Sequence, residues 1–337
     1  MSQIYCSVGD LLEDLDIDGV RNQSETRILD KIKFASRWIE NNIGKFIPMS
    51  ETRRYDGDGT KEMNVDPILA VTSIVDDLIT LGSTEYLLYP RNRLWRNGPY
   101  VRIKIDPDAT SLYNWSLEDD IIVITGKFGL YEESIVTGAT VASQTDSSTS
   151  LVVDDAHGIT PGAVLLIESE QESVDAVGAA TDSTANTSTA MDLDDEQVTL
   201  TDGTKVKIGE VIRINFEQMK VIDISGNDIL VQRGWNKTMR VAHLTAQDVY
   251  IYRTFTVTRG ANGTSAAAHT NKAISRYVVP ADILSLCKQM AGLMLRKTDS
   301  EYAGKVGNAA TGETFYFNEF PKETIDRISA AYFVPLI

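Results

Sequence analysis

Two cysteines and three histidines are all that 337 residues offer to chemistries built on those side chains. Cys6 and Cys287 stand near opposite ends and form no C-x-x-C pair, so neither a zinc site nor a disulfide framework is indicated. Both read as reduced thiols, Cys287 in the core. No apolar run approaches the roughly 18 to 20 residues that span a bilayer. The start, MSQIYCSVGDLLEDLDID, has no basic segment followed by an apolar stretch, so it does not read as a secretory signal. Positive charge is scarce too: 32 Lys and Arg face 48 Asp and Glu, a net charge of −16. That balance argues against a broad basic face that grips DNA or anionic lipid, because such affinity comes from neutralising phosphates. It suits solubility, or a surface that nucleic acid passes without sticking. What is present is apolar material, 42% of the chain, enough for more than one core and for two or three domains.

The most regular stretch runs from Asn22 to Gly44. Ile28, Ile32, Ala35, Ile39 and Ile43 recur at three- and four-residue steps, and Leu29 and Trp38 widen the stripe, which predicts one helix with a buried face. Asn22 reads as its cap, Glu25 as the residue that reaches back, and Gly44 as its left-handed stop. The matching pattern is far away, at Pro280 to Lys297, where Ile283, Leu286, Cys287, Met290, Leu293, Met294 and Leu295 form a strongly apolar helix opened by Pro280 and Asp282. If these two helices pack, the β-rich interval between them is an excursion from a small helical body. Shorter helices are expected over Ser7 to Leu15 and Lys322 to Tyr332.

From Phe46 the period changes to that of strands. Glu51 to Tyr55, the turn DGDGT and Glu62 to Val65 read as a hairpin. The aspartates of that turn lack the further oxygen ligands of a calcium loop. Strands follow at Pro67 to Ile74, Leu78 to Leu81, Tyr86 to Tyr89, Tyr100 to Ile105 and Ile121 to Thr125. Arg91, Arg93 and Trp95 make a basic, aromatic loop; nucleic acid could use it, but in so acidic a chain it reads as a loop that docks on another subunit or packs at the domain edge. After Lys297 a Gly-, Ala- and Thr-rich stretch leads to Phe315, Tyr316, Phe317 and Phe320, and the chain closes on Tyr332, Phe333, Leu336 and Ile337. So apolar a terminus either folds back or inserts into a partner, and the partner is the favoured reading.

In order, the helix ending in WIE, RRYDGDGT, DPILAVTSI, ITGKFGLY and VVPADILSLCKQMAGLML resemble the head-tail connector, or adaptor, family of long-tailed bacteriophages. The resemblance covers Ser7 to Glu133 and Val278 onward. It implies a virion protein assembled in the host cytoplasm: a ring, usually of twelve copies, between the portal and a tail or stopper protein. The implied partners are the chain itself, the portal, the tail protein, and DNA that passes through the channel without sequence-specific contacts. The residues themselves suggest no cofactor, no membrane contact and no enzymatic activity.

In that family the glycine-aromatic strand is followed almost at once by the proline-led helix, whereas here about 150 residues intervene. The interval repeats itself. STSLVVDD at 148–155 matches STAMDLDD at 188–195; Glu170-Gln171 matches Glu217-Gln218; Arg259, Gly260, Asn262 and His269 match Arg233, Gly234, Asn236 and His243. The order is first half, first half, second half, second half. With a tight turn at Gly226-Asn227 joining the halves of the second copy, the simplest reading nests that copy inside a hairpin of the first. The runner-up pairs the split halves between neighbouring subunits. The fold expected is therefore α+β: a small helical bundle with hairpins over 1–133 and 278–337, carrying an all-β region of two nested modules, 134–181 with 254–277, and 182–253. Each copy offers only one His and the Glu of its Glu-Gln pair without a third ligand at a recognisable spacing, so these read as structural. Asn236 falls opposite Glu217, and a cross-strand Glu-Asn hydrogen bond is expected there and between Asn262 and Glu170. Gly234 and Gly260 are expected to permit a bend, and the histidines to tie down the loop that follows.

Two function classes follow. The first is the connector ring subunit, with the β region available for capsid contact. The second is a virion decoration or surface-binding protein whose β modules recognise carbohydrate or a receptor; Trp235 supports it, and Ala261 at the matching position weakens it.

Overall fold

The computed structural model describes residues 3–14, 24–93, 95, 97–299, 305–308, 313–316 and 322–332. Strand dominates, with 41% of the chain β and 19% helical, in three six-stranded antiparallel sheets. This overturns the small helical bundle with attached β elements. Each sheet has an apolar cluster of its own, and Val164 and Tyr277 of the second sheet are buried in the helical core besides.

Among the described residues the α-helices are α1 (Val8–Asp14), α2 (Glu25–Asn42), α3 (Ala281–Asp299) and α4 (Lys322–Ala331). The cap of α2 is Ser24, whose hydroxyl accepts from the Arg27 N–H; Asn22 lies outside the described residues. Its apolar stripe packs on α3, and the two share a core with Phe46 and Ile328. Burying each Ile or Leu there contributes ~1.5–3 kcal/mol. The extended N-terminal segment crosses this core, Tyr5 donating its N–H to Ser36 Oγ at 3.0 Å. It brings Cys6 against Cys287, and both thiols are buried and free. The neighbouring thiol and burial together push the Cys6 pKa far up.

The first sheet holds β1 (Met49–Tyr55), β2 (Glu62–Asp76), β3 (Ile79–Thr80), β4 (Tyr86–Tyr89), β5 (Tyr100–Ile105) and β6 (Ile122–Phe128), in the order β1-β6-β2-β5-β4 with β3 on β2. The expected β1/β2 hairpin does not form. Strand β6 lies between them, Thr52 facing Thr125 and Ile74 facing Ile124. The DGDGT segment is thus a crossover, held where Gly57 donates its N–H to Glu118 O. A β-branched strand with alternating burial can fill the centre of a sheet, and adjacency in sequence did not decide the pairing.

Two barrels follow. The first comprises β7 (Ser134–Gln144), β8 (Ser150–Val152), β9 (Val164–Ile167), β10 (Glu170–Val177), β17 (Thr254–Thr258) and β18 (His269–Tyr277). The second comprises β11 (Thr181–Asn186), β12 (Gln197–Thr199), β13 (Val211–Ile214), β14 (Glu217–Ser225), β15 (Asp228–Trp235) and β16 (Asp248–Ile251). Their strand orders, β7-β18-β9-β10-β17-β8 and β11-β16-β13-β14-β15-β12, are the same path. A bridge between the two end strands closes each: Val141 with Val153, and Thr187 with Leu200. Strands β14 and β15 form a continuous hairpin, whereas their counterparts β10 and β17 pair, Val177 facing Phe255, with the whole second barrel between them in sequence. The first barrel docks on the first sheet, Gln171 Nε2 donating to Pro48 O at 2.9 Å. The second leans on α1 and α2 through Lys220–Glu13 at 3.6 Å and Asn236–Glu25 at 3.3 Å. Near the C-terminus β19 (Lys305–Asn308) pairs with β20 (Glu313–Tyr316).

Candidate functional site

Strands β10 and β14 each begin with a buried glutamate at the turn from the preceding strand, and the loop after β17 or β15 folds over it. In the second barrel Glu217 receives a forked pair of bonds from Arg233, Nε and Nη2 both at 2.7 Å. It also accepts the N–H groups of Gly234 at 3.1 Å and Val241 at 3.0 Å, and His243 Nε2 lies 2.9 Å away. Arg233 spends its remaining donors on carbonyls of Asp192, Asp195 and Val241. The first barrel repeats the set: Arg259 Nε and Nη2 reach Glu170 at 2.8 and 2.7 Å, Gly260 and Ala267 donate backbone N–H groups, and His269 Nε2 lies at 2.9 Å. Arg259 also holds carbonyls of Thr145, Ser148 and Ala267. Burial opposes ionisation of both carboxyls, but the guanidinium, the backbone donors and the histidine outweigh it and hold each at about 2. The node therefore pins three loops to one carboxylate in a dry site, and removing one partner from such a buried pair costs ~3–5 kcal/mol.

Two details differ from the sequence reading. Asn236 and Asn262 donate to Gln218 at 2.9 Å and Gln171 at 2.8 Å, not to the glutamates. Gly234 and Gly260 are left-handed (φ 67 and 58), as are Asn236 and Asn262 themselves (φ 51 and 53), so the chain turns and the amide swings to the neighbouring glutamine. Further, Thr145 and Ser148 occupy the places of Asp192 and Asp195 around the arginine, so Ser148 corresponds to Asp195 and not to Ser188. The likeness of 148–155 to 188–195 is not the structural register.

The sequence reading missed a pair peculiar to the first barrel. Glu172 and Gln144 are buried beside Glu170, and their Oε1 atoms receive no hydrogen bond. At the same positions the second barrel carries buried Met219 and Met191. Burial raises the Glu172 pKa against the opposing pull of Arg259 and Gln144. Donor atoms of Glu170, Glu172 and His269 lie within 4.8 Å of one another. Arg259 Nε nevertheless sits 2.8 Å from Glu170 and 2.9 Å from Glu172, where a bound cation would have to go, and both Glu170 oxygens are already taken. This donor set fits a guanidinium better than a metal.

Between α1, the N-terminus of α2 and the two barrels lies a cavity of about 290 Å³, lined in part by His157, Lys220, Trp235, Tyr252 and Phe255. Its polar groups are largely engaged: Glu210 with Arg253, Gln218 with Asn236 and Tyr252, Arg276 with Asp10. The hydroxyl–carboxylate pair on its wall, Ser7 Oγ donating to Asp10 Oδ2 at 2.7 Å, belongs to the first turn of α1, where Asp10 also accepts the Ser7 N–H and pairs with Arg276.

Of the residues expected at a partner, Arg91 and Arg93 are exposed, over the rings of Tyr89 and Tyr100. Trp95 and Tyr332 are half-buried against the chain's own core: Trp95 Nε1 donates to Leu130 O at 3.2 Å, and Tyr332 packs edge-on to Trp95 and Phe46 and donates to Asp282 at 2.9 Å. An aromatic beside a complementary ring and a hydrogen-bond acceptor satisfies its apolar body and its polar tip together. Phe315 and Tyr316 lie on β20, opposite Val306 and Lys305. Phe317, Phe320, Phe333, Leu336 and Ile337 lie outside the described residues. No protein-family model, no curated protein and no solved structure matches this chain.

Proposed function

We propose that this chain is a structural virion protein, a head-tail connector subunit that assembles as a ring between portal and tail and lets DNA pass. The observation that carries the reading is where the β excursion leaves and returns. Ser134 faces Tyr277 and the Val278 N–H donates to Glu133 O at 3.0 Å, so the two segments with the connector-like motifs, up to Glu133 and from Val278, meet at one hydrogen-bonded junction. They are continuous in space although far apart in sequence. The barrels then stand as an accessory region whose buried polar groups serve folding, consistent with a function exercised by assembly and not by catalysis. Trp235, the residue that spoke for the carbohydrate reading, is half-buried, with Lys220 over its ring and the helical core against it.

Native mass spectrometry of the purified chain, alone and mixed with the portal ring of the same virion, tests this. The expected result is a ring mass only in the mixture. Failure to load on the portal, together with binding of surface glycans, would overturn it.

A further inference from the structure

The two barrels serve as controls for each other, because corresponding positions sit in the same register at the same node. One end of the second barrel exposes four large apolar side chains: Phe216 at 89%, Met239 at 81%, Leu244 at 72% and Leu193 at 52%. All four belong to segments tied to Glu217. Phe216 immediately precedes it; Leu244 follows His243; Met239 lies in the loop whose Val241 N–H it accepts; Leu193 lies between Asp192 and Asp195, whose carbonyls Arg233 holds. They therefore share one end of the barrel. The corresponding residues of the first barrel are Ser169, Ser265, Thr270 and Asp146, all exposed and all polar. The fold thus does not require apolar groups here, and their concentration on one copy alone is the mark of a surface that becomes covered.

Charge indicates what covers it. The loop with Leu193 carries exposed Asp192, Asp194, Asp195 and Glu196, and the loop with Met239 carries exposed Lys237 and Arg240. These two loops approach Arg233 from its two terminal nitrogens: Asp192 and Asp195 at Nη1, Val241 at Nη2. The apolar residues are therefore flanked by an acidic margin on one side and a basic margin on the other, and among the described residues neither Lys237 nor Arg240 makes an ion pair. A twofold rotation lays each acidic margin on the basic margin of an identical surface. We propose that this end of the second barrel is a self-association surface whose occupant is the same end of a second copy of the chain, with Phe216 and Met239 at its centre. The proposal is independent of the connector reading.

Sedimentation velocity of the full chain over about 1–100 µM tests it. Dimers are expected for the wild type. The combined changes Leu193→Asp, Phe216→Ser, Met239→Ser and Leu244→Thr install what the first barrel carries, so the fold should tolerate them; far-UV circular dichroism checks this, and dimerisation should weaken at least about 100-fold. Lys237→Glu with Arg240→Glu should also weaken it, and adding Asp194→Lys with Glu196→Lys should restore it, since the swapped margins are again complementary. A wild type that stays monomeric throughout, or a dimer indifferent to the apolar changes, overturns the proposal. So does a monomer that uses this end to bind the portal or lipid vesicles.

Discussion

Glu170 and Glu217 face almost the same donors, yet beside Glu170 stands a second carboxylate, Glu172, where Glu217 has Met219. Arg259 is shared between two carboxylates, whereas Arg233 serves one. The consequence depends on pH. Glu170 and Glu217 are depressed to about 2, so the stability they contribute is present above their unfolded value near 4.5 and is lost as pH falls towards 2. Glu172 is raised, so its contribution has the opposite sign: it is present below about 4.5 and is lost as pH rises through the folded value. Replacing Gln144→Met together with Glu172→Met, the pair the second barrel uses, should stabilise the protein at pH 7 by ~1–4 kcal/mol, as buried ionic groups exchanged for packed apolar ones commonly do. Urea unfolding of wild type and variant from pH 3 to 8 checks this. The advantage should shrink towards acid, and both proteins should weaken below pH 4.5.

At the scale of the element, the turns show which glycines the fold requires. Gly263 sits in a one-turn 3₁₀ segment after β17 with φ +80, and an added Cβ would lie 2.1 Å from the Ser50 carbonyl oxygen of the first sheet. Gly226 has φ +64 at the β14/β15 turn, and nothing lies near its missing Cβ. Both substitutions to Ala incur the left-handed backbone cost of ~1–2 kcal/mol. Gly263→Ala must in addition push the first barrel off the first sheet, so its loss should be clearly larger than that of Gly226→Ala; thermal unfolding of the two variants separates them. The corresponding position in the second barrel is Lys237, exposed and also left-handed (φ 69), because no strand approaches it there.

At the scale of the whole molecule, the second barrel is an insertion with a core of its own, whose strands β11 to β16 pair, among the described residues, with each other alone. Val177 and Phe255 face each other across β10 and β17, so the points of departure and return are neighbours. Deleting residues 180–252 and joining Gly178-Ala179 to Arg253 should leave a chain that folds with its first barrel intact, and residues 179–253 should fold alone. Cooperative thermal transitions of the two fragments, monitored by circular dichroism, check this; a fragment without a transition would mean that the cores are interdependent.

The sequence alone carried the helices α2 and α3, because a 3.6-residue apolar period needs no tertiary information, and it carried the repeated Glu-Gln, Arg-Gly and His positions, because they recur at fixed spacing. It could not weigh helix against strand, since a strand's partner is chosen by packing: β6 entered between β1 and β2 although turn chemistry favoured a hairpin. Nor could it pair the node. In plain strand register Asn236 faces Glu217; only the left-handed turn through Gly234 and Asn236 frees the carboxylate for Arg233 and His243 and sends the amide to Gln218. Register and bulges are settled by which side chains can be buried together with every polar group satisfied. That condition applies to the folded chain as a whole and not to any stretch of it.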